Sequence, residues 1–409
     1  MYDHVIIGAG FAGASTAWRL AQRGLSVALV DRDEPASEHG SSHGSARIFR
    51  FAYEDALYAG FVRDAEAGWA ELEELSGQQL IRRCGSLTFG PVKKPQHQAD
   101  ILTDLGIENE LAEKDAAGER WPGIAYDSEA VWQPTAGVLD AQSTVLAMVA
   151  AAQSHGAALF TDFAVESVTG SAGGQRSSEG EGASGAGVEG PQGPFTVTAA
   201  DGRTVEGAHV TVAAGGFLPF LLEKLDLPQG FRDALPEFEI MQEAAFHFPY
   251  RETTADGAPV MAPEEWPTFI HNGADVHVYS LPGGRDAEHR GQKLAIFNGG
   301  TRIDDASAQS GTITEEQRAA AVEYVKTYVP GLVPEPYAET TCLFTNTPTE
   351  DFVLTTCGGI TVFSPCSGHG AKFGPLLGSI AADHVTGTAL GPAQWDPTRG
   401  GPTRTGALH

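Results

Sequence analysis

VIIGAGFAGASTAWRLAQRGLSVALVD, residues 5–31, is the stretch of sequence that decides the fold of this chain. Val5 to Ile7 is a short apolar run, which predicts a buried strand. A glycine-rich loop with the spacing GxGxxG follows, and a helical pattern then runs to a C-capping Gly24. A second apolar run, Ser26 to Val30, predicts another strand, and it ends at Asp31. This order predicts a βαβ unit that opens a parallel sheet.

The glycines and the acidic residue of this unit have separate roles. Gly8 permits the tight turn, Gly10 lets the backbone approach a pyrophosphate, and Gly13 lets the helix pack closely on the strand. The start of the helix offers N–H groups and the positive end of its dipole to phosphates. Asp31 is placed to accept hydrogen bonds from a ribose. The sequence therefore predicts a site for an adenine dinucleotide.

Composition and charge exclude several classes of function. The formal charge of −27 leaves no basic surface for nucleic acid or for an anionic membrane. No apolar run is long enough to span a bilayer, and no segment resembles a signal peptide. The four cysteines have neither metal-site spacing nor the density of a disulfide scaffold. We therefore expect a cytoplasmic protein with no metal site, no membrane partner and no nucleic-acid partner.

The 409 residues are enough for two domains, and the patterns divide them discontinuously. We expect an α/β (α+β) two-domain fold, in which a Rossmann-type dinucleotide-binding domain accompanies a substrate domain built on a mixed or antiparallel sheet. A stretch rich in Gly, Ser and Glu predicts a mobile insertion, and the last residues predict a flexible tail. The ranges are 1–85, 136–225 and 336–392 for the dinucleotide domain, 86–135 and 226–335 for the substrate domain, 170–193 for the insertion and 393–409 for the tail.

Residues 40–50, GSSHGSARIFR, closely resemble the flavin-contacting motif of monomeric sarcosine oxidases and N-methyltryptophan oxidases. These are FAD enzymes of the D-amino acid oxidase superfamily. Further matches follow in the family's order, and the resemblance spans about residues 3 to 387. They are YSLP at 279–282, QKL at 292–294, TCLFTNTP at 341–348 and SGHGAKF at 367–373.

The resemblance implies FAD as the cofactor and assigns the residues that bind it. The thiolate that matches Cys342 is joined to the 8α-methyl carbon of the flavin in the family, which implies covalent FAD here. Taken alone, a free cysteine is more often a small buried hydrophobic residue. The implied FAD contacts are Gly8, Gly10, Phe11, Ala12, Gly13, Asp31, Arg32, Ser42, His43, Arg47, Val165, Ala214, Gly215, Cys342, Gly368, His369, Gly370 and Lys372.

The family motifs also assign residues to the substrate and to dioxygen. Arg50 and Lys372 match the pair that binds the substrate carboxylate, for which the planar fork of an arginine is well suited. Lys293 matches the lysine that activates dioxygen, and Arg47 and His43 are expected to add to its positive field. Tyr279 is expected to line the substrate side, although a strand aromatic is as often an ordinary packing residue.

Two positions depart from the family pattern. Sarcosine oxidases of the family carry a histidine four residues after the oxygen-activating lysine, and Phe297 stands there in this chain. They carry a tyrosine two residues after the flavin-linked cysteine, and Phe344 stands there. Both changes replace polar groups near the substrate amine with apolar rings. They put sarcosine itself in doubt and favour a bulkier or more apolar N-substituted amino acid.

The resemblance therefore implies an FAD-dependent amine oxidase with a small amino-acid-like substrate and dioxygen as partners. It would oxidise a secondary amino acid, N-methyl or otherwise N-substituted, to an imine that water hydrolyses, with hydrogen peroxide as the second product. The family is usually monomeric. A fructosyl-amino-acid oxidase, a flavin dehydrogenase with another electron acceptor and a non-catalytic flavin-binding protein are the alternatives.

Overall fold

The computed structural model of the chain describes residues 1–170 and 190–399. The strands in this part of the chain are β1 (Tyr2–Ile7), β2 (Val27–Val30), β3 (Arg47–Phe49), β4 (Ile81–Arg82), β5 (Ser86–Phe89), β6 (Glu110–Ala112), β7 (Ala130–Gln133), β8 (Gly137–Leu139), β9 (Ala158–Phe160), β10 (Val165–Gly170), β11 (Phe195–Ala199), β12 (Thr204–Val212), β13 (Glu239–Phe248), β14 (Thr268–Asn272), β15 (His277–Pro282), β16 (Gln292–Ile296), β17 (Thr301–Ile303), β18 (Ala338–Asn346), β19 (Val353–Cys357) and β20 (Ile360–Ser364).

The helices are α1 (Phe11–Gln22), α2 (Ala56–Ser76), α3 (Pro95–Asp104), α4 (Lys114–Arg120), α5 (Ala141–Ser154), α6 (Leu218–Leu222), α7 (Gln229–Ala234), α8 (Glu315–Tyr328) and α9 (Gly374–Val385). Short 3₁₀ turns connect several of these elements. None of the helices in the described ranges is both long enough and apolar enough to cross a membrane.

The first sheet contains the βαβ unit that the sequence predicts. Strands β9, β2, β1, β12 and β20 are parallel neighbours, and the antiparallel strands β10, β11 and β19 extend this sheet. Alternate residues of β1 point to opposite cores, because side chains alternate along a strand. Ile6 packs with α1 and α5, whereas Val5 and Ile7 pack with α6 and α7. Burial on both faces explains why β1 is a continuous apolar run.

The second sheet is largely antiparallel and has nine strands. Its path runs β17-β13-β16-β15-β14-β5-β7-β6, and β18 pairs with β13. One face packs against α8, where Phe246, Phe248 and Leu294 meet Tyr324 and Val325. The other face of the central strands is turned away from α8. A small third sheet, β3-β8-β4, lies beside the two large ones.

The α/β class, the Rossmann-type unit and the mixed sheet agree with the prediction, whereas two of the predicted boundaries differ from the structure. Strand β18 follows residue 336, yet it pairs along β13 in the second sheet. Residues 393–399 of the predicted tail form short 3₁₀ turns, and Trp395 is fully buried against α2 because its indole is large and apolar. Of the predicted insertion, residues 171–189 lie outside the described residues, and so do residues 400–409 of the tail.

Candidate active site

A cleft of about 490 Å³ brings together segments that are far apart in the sequence. Its walls come from the β1–α1 loop, the segment before β3, both large sheets and the loop after β20. Nearly all of the predicted site residues line it, and the exceptions are Gly13 and His43. The predicted residues in the wall are Gly8, Gly10, Phe11, Ala12, Asp31, Arg32, Ser42, Arg47, Arg50, Val165, Ala214, Gly215, Tyr279, Lys293, Phe297, Cys342, Phe344, Gly368, His369, Gly370 and Lys372.

The β1–α1 loop is a close-fitting backbone cradle. Gly8 has a φ of 103°, and a Cβ at this position would lie 2.4 Å from the carbonyl oxygen of Ala213. A Cβ on Gly13 would lie 1.7 Å from the carbonyl oxygen of Gly8. Helix α1 begins directly after Gly10, and the Phe11 N–H donates to Ser42 Oγ at 3.2 Å. This geometry fits a pyrophosphate at the start of α1.

Asp31 stands at the end of β2, beside the same loop. Its carboxylate accepts hydrogen bonds from the backbone N–H groups of Ala9 and Asp33. Burial raises the pKa of this carboxyl, and the hydrogen bond from Ala9 acts against the increase. Arg32, the next residue, places its guanidinium 4.2 Å from the centre of the Phe217 ring. The cradle and the carboxylate together fit the pyrophosphate and ribose of a dinucleotide such as FAD.

Arg50 and Lys372 form a pair of buried cations in the cleft wall. They are 5% and 2% exposed, and burial lowers the pKa of both; the charge of Arg50 lowers that of Lys372 further. The Lys372 ammonium donates to the Tyr53 hydroxyl at 2.9 Å and to the His369 carbonyl at 2.7 Å. The Arg50 guanidinium lies 4.4 Å from the centre of the Tyr53 ring. Two neighbouring cations in a buried wall make a favourable site for an anion such as a carboxylate.

Tyr53 and His369 orient this pair. The His369 Nε2 lies 3.0 Å from the backbone carbonyl of Glu350, and Nδ1 lies 3.1 Å from the Tyr53 hydroxyl. A carbonyl only accepts, so Nε2 carries the hydrogen and Nδ1 accepts from Tyr53. The Tyr53 oxygen then accepts from Lys372. Sequence reasoning missed Tyr53, because it stands three residues beyond the motif that ends at Arg50 and no pattern marks it.

Another wall of the cleft is formed by the side of the second sheet that α8 does not cover. Leu294 packs with α8, so its neighbour Lys293 on β16 points the opposite way. In the strand register Lys293 is opposite His247 of β13 and opposite Leu281 of β15. Cys342 of β18 is opposite Glu243 of β13. The alternation of the strands thus presents Lys293 and Cys342 to the same cleft.

The electrostatic field of this wall comes from Lys293 and Arg47. Lys293 is 5% exposed, and burial, followed by the charge of Arg47, lowers its pKa to about 8. It is therefore still mainly a cation at pH 7. His43 was expected to add positive charge, but burial and the charges of Arg47 and Lys293 lower its pKa to about 3. His43 is consequently neutral near pH 7, and this part of the expectation is corrected.

Cys342 is partly exposed to the cleft, and its thiol has a shifted pKa. Burial raises the pKa, while Arg47 and Lys293 act to lower it and Glu243 acts to raise it. The thiol is protonated near neutral pH. A reaction at Cys342 therefore needs a group that removes its proton.

Aromatic rings form the remaining part of this wall. The rings of Phe297 and Phe344 have their centres 5.7 Å apart, and His277 lies 4.8 Å from Phe297. Burial lowers the pKa of His277 to about 3, so it is neutral at pH 7. Sequence reasoning missed His277, as well as Glu243 and His247 on β13. A signal for the last two was present, because Glu243 and His247 are ionisable residues four positions apart, on the same face of the largely apolar strand EIMQEAAFHF.

Comparisons with known proteins agree with this geometry. Residues 3–384 match the FAD dependent oxidoreductase (DAO) family. Monomeric sarcosine oxidase from Bacillus sp. (strain NS-129) is 27% identical over 403 residues, covering 94% of this chain and 93% of the relative. N-methyl-L-tryptophan oxidase from Yersinia pestis (strain Pestoides F) is 26% identical over 398 residues, covering 93% of this chain and 94% of the relative.

Solved structures share the fold over almost the whole chain. NikD, described as an unusual amino acid oxidase essential for nikkomycin biosynthesis, has a TM-score of 0.76 at 23% identity and covers 100% of this chain and 99% of its own. Amadoriase I from Aspergillus fumigatus, a fructosyl amine: oxygen oxidoreductase, has a TM-score of 0.65 at 18% identity and covers 94% of this chain and 86% of its own. With the family match over nearly its full length, the chain belongs to the DAO family of FAD-dependent oxidoreductases.

Proposed function

We propose that this protein oxidises a secondary amino acid, N-methyl or otherwise N-substituted, and transfers the electrons to dioxygen to form hydrogen peroxide. The observation that carries the proposal is the arrangement of the cleft. The buried cations Arg50 and Lys372 lie in one wall, and Lys293 and Cys342 lie in the wall formed by the second sheet. The residues of the β1–α1 loop and Asp31 would bind the FAD.

Arg50 and Lys372 are proposed to bind the substrate carboxylate. A guanidinium can donate two parallel hydrogen bonds to a carboxylate, and the ammonium adds a compact second charge. Tyr53 accepts from Lys372 and packs under Arg50, so both cations are held in place before the substrate arrives. This binding would fix the carbon–hydrogen bond next to the nitrogen in a constant position, which is a proximity effect.

FAD, when bound, supplies the chemistry of accepting a hydride equivalent from that carbon. The residues of the chain bind the substrate, exclude water and stabilise charge. Phe297, Phe344, His277 and Tyr279 line the cleft, and the first three are proposed to exclude water around the amine. Lys293 is proposed to stabilise the negative charge that develops on dioxygen during its reduction. Cys342 is proposed to hold the cofactor covalently through its sulfur.

The rings of Phe297 and Phe344 also bear on the choice of substrate. They give the substrate side an apolar surface, which favours an apolar N-substituent or side chain over the bare methyl group and hydrogen atoms of sarcosine. The many hydroxyl groups of a fructosyl substituent would need polar partners, which the rings of Phe297 and Phe344 do not provide. A fructosyl-amino-acid oxidase therefore remains the second candidate. A dehydrogenase with another acceptor is the third, and the position of Lys293 argues against it.

A monomer in a reducing cytoplasm stays a prediction. All four cysteines, Cys84, Cys342, Cys357 and Cys366, are free, as is usual in a reducing compartment. Sedimentation of the purified protein would establish whether it is a monomer.

The test of the proposed function starts with the purified protein and its C342S variant. Acid precipitation should leave yellow colour in the wild-type precipitate and release it from C342S. Both proteins are then supplied with N-methyl-L-tryptophan, sarcosine and fructosyl-glycine in air. We expect peroxide and formaldehyde, with N-methyl-L-tryptophan preferred over sarcosine. A wild-type protein that reduces its flavin with none of these substrates would overturn the proposed activity. Reduction without peroxide would instead support the dehydrogenase.

A further inference from the structure

Glu243 is a buried carboxyl group to which neither the family motifs nor the reaction above assigns a role. It lies in the middle of β13, directly opposite Cys342 in the antiparallel register with β18. Directly opposite residues place their Cβ atoms about 4.5–5.5 Å apart and their side chains on the same face of the sheet. Glu243 is 1% exposed, and its Oε1 has no hydrogen-bond partner within the described ranges. A carboxyl group with one unpartnered oxygen thus occupies the strand position opposite the thiol.

The strand pattern shows that this position is unusual for a carboxyl group. Ala244 and Phe246 of β13 pack into the core with α8, so Glu243 and Ala245 face the cleft side. Burial raises the pKa of Glu243 to about 8, while the backbone N–H groups of Gly300 and Gly299 act to lower it. A buried carboxyl without a cation partner costs stability, which is usually accepted only where the group has a task.

We propose that Glu243 is the base that accepts the thiol proton of Cys342 when the protein attaches its flavin. This inference rests on the proposed covalent attachment at Cys342. Glu243 would act during cofactor attachment, before the first turnover, and its action does not depend on which amino acid the enzyme later oxidises.

The reaction balances with dioxygen as the oxidant, which is also the proposed electron acceptor of the enzyme. The S–H bond of Cys342 and one C–H bond of the 8α-methyl group break, and a bond forms between Sγ and the 8α-carbon. The thiol proton goes to Glu243 and then to solvent, and the methyl proton goes to solvent. Two electrons pass to the flavin ring and from it to dioxygen, which takes up two protons. One hydrogen peroxide is therefore formed for each linkage.

The other ionisable groups on this face are less suited to the task. His247 is opposite Lys293 and not opposite Cys342, and burial, followed by the Lys293 charge, lowers its pKa to about 4. Asp286 accepts a hydrogen bond from Ser45 Oγ. With a pKa of about 8, about a tenth of Glu243 is ionised at pH 7, and this carboxylate is a stronger base than one with an ordinary pKa. The charges of Lys293 and Arg47 would then stabilise the thiolate.

The test measures covalent attachment and not turnover. Flavin-free wild-type protein, E243Q and a matched control, E239Q, are mixed with FAD in air. Acid-precipitable flavin and the mass of the protein are followed with time. Glu239 lies on the same strand, where it makes a partly exposed ion pair with Arg302 at 3.1 Å. We expect E239Q to attach flavin at the wild-type rate and E243Q to attach it about 10²-fold more slowly, the usual contribution of a general base.

Further outcomes separate this inference from the proposed function. E243D keeps a carboxylate, so it should attach flavin faster than E243Q. If Glu243 were needed only for packing, the E243D and E243Q variants should attach flavin at similar rates. If E243Q attaches flavin as fast as wild type, the role of Glu243 is overturned, whereas the proposed linkage at Cys342 is not affected. Wild-type protein that never attaches flavin overturns the linkage at Cys342 and this inference with it. If E243Q does not take up FAD, the E243A variant is compared with wild type instead. The same two quantities are followed with time: acid-precipitable flavin and the mass of the protein.

Discussion

Replacing Lys293 by methionine should slow the reaction with dioxygen far more than the reaction with the substrate. Methionine keeps much of the length and apolar volume of the lysine but removes its charge. Lys293 is 5% exposed in the cleft wall, so water cannot replace the missing charge efficiently. Substrate oxidation should depend instead on Arg50 and Lys372, which are proposed to bind the carboxylate.

The size of the effect follows from the burial of the charge. Two unit charges about 4 Å apart interact by about 4 kcal/mol at an effective dielectric constant of about 20. A loss of that size from the transition state slows a step about 10³-fold. The pKa of Lys293 is lowered to about 8 by burial and the charge of Arg47. Between pH 7 and pH 9 the charged fraction falls from about 0.9 to about 0.1, so wild-type reoxidation should slow about tenfold.

Rapid-mixing spectroscopy separates the two half-reactions. Flavin reduction is followed without air, and reoxidation is followed after the reduced protein is mixed with oxygenated buffer at pH 7 and pH 9. The control is K326M, because Lys326 is an exposed lysine of α8, 3.6 Å from Glu323, on the far side of the same sheet. K326M should match wild type. The role of Lys293 would be refuted if K293M slowed flavin reduction and reoxidation equally, or if K293M reoxidised at the wild-type rate.

Four further predictions follow from other parts of the structure. Gly13→Ala should abolish FAD uptake, measured as bound flavin, because the new Cβ would lie 1.7 Å from the Gly8 carbonyl oxygen. Trp395→Ala should lower the free energy of unfolding in urea by about 3–5 kcal/mol, the usual loss for a fully buried indole. Phe297→His should lower kcat/KM for N-methyl-L-tryptophan relative to sarcosine by about 10-fold or more, because it makes the apolar wall polar. The pKa of His4 is lowered to about 3 by burial, so below pH 6.5 the unfolded chain takes up a proton that the folded protein excludes. The free energy of unfolding of the wild type, measured in urea, should therefore fall because of His4 by about 1.4 kcal/mol for each pH unit below 6.5. The H4N variant should lose less.

The features of the fold that the sequence predicted depend on residues that are close together in the chain. The βαβ unit depends on glycine spacing and on apolar runs, and both can be read within residues 5–31. The expectation that Arg50, Lys372, Lys293 and Cys342 belong to one site came from the family resemblance, and all four line the cleft.

The residues that escaped prediction depend on contacts between distant segments. Tyr53 matters because Lys372 donates to it, and the two are separated by more than three hundred positions. Glu243 matters because the register of β13 with β18 places it opposite Cys342. The composition of the last residues predicts a flexible tail, but one tryptophan, Trp395, buries its side chain and orders the residues around it. Strand register and long-range packing cannot be deduced from the spacing of residues within one short segment.

The same two charges serve both reactions proposed for the second sheet. Burial raises the pKa of the Cys342 thiol, and Arg47 and Lys293 act against this increase, which favours the thiolate needed for attachment. They also supply the positive field that would stabilise charge on dioxygen. A variant that removes Lys293 therefore weakens cofactor attachment and oxygen reduction together. The comparison of half-reactions must accordingly use K293M protein whose flavin is fully acid-precipitable, because only then does slower reoxidation report on dioxygen alone. Glu243 has no such double role, and so E243Q that has completed its attachment should reoxidise like wild type.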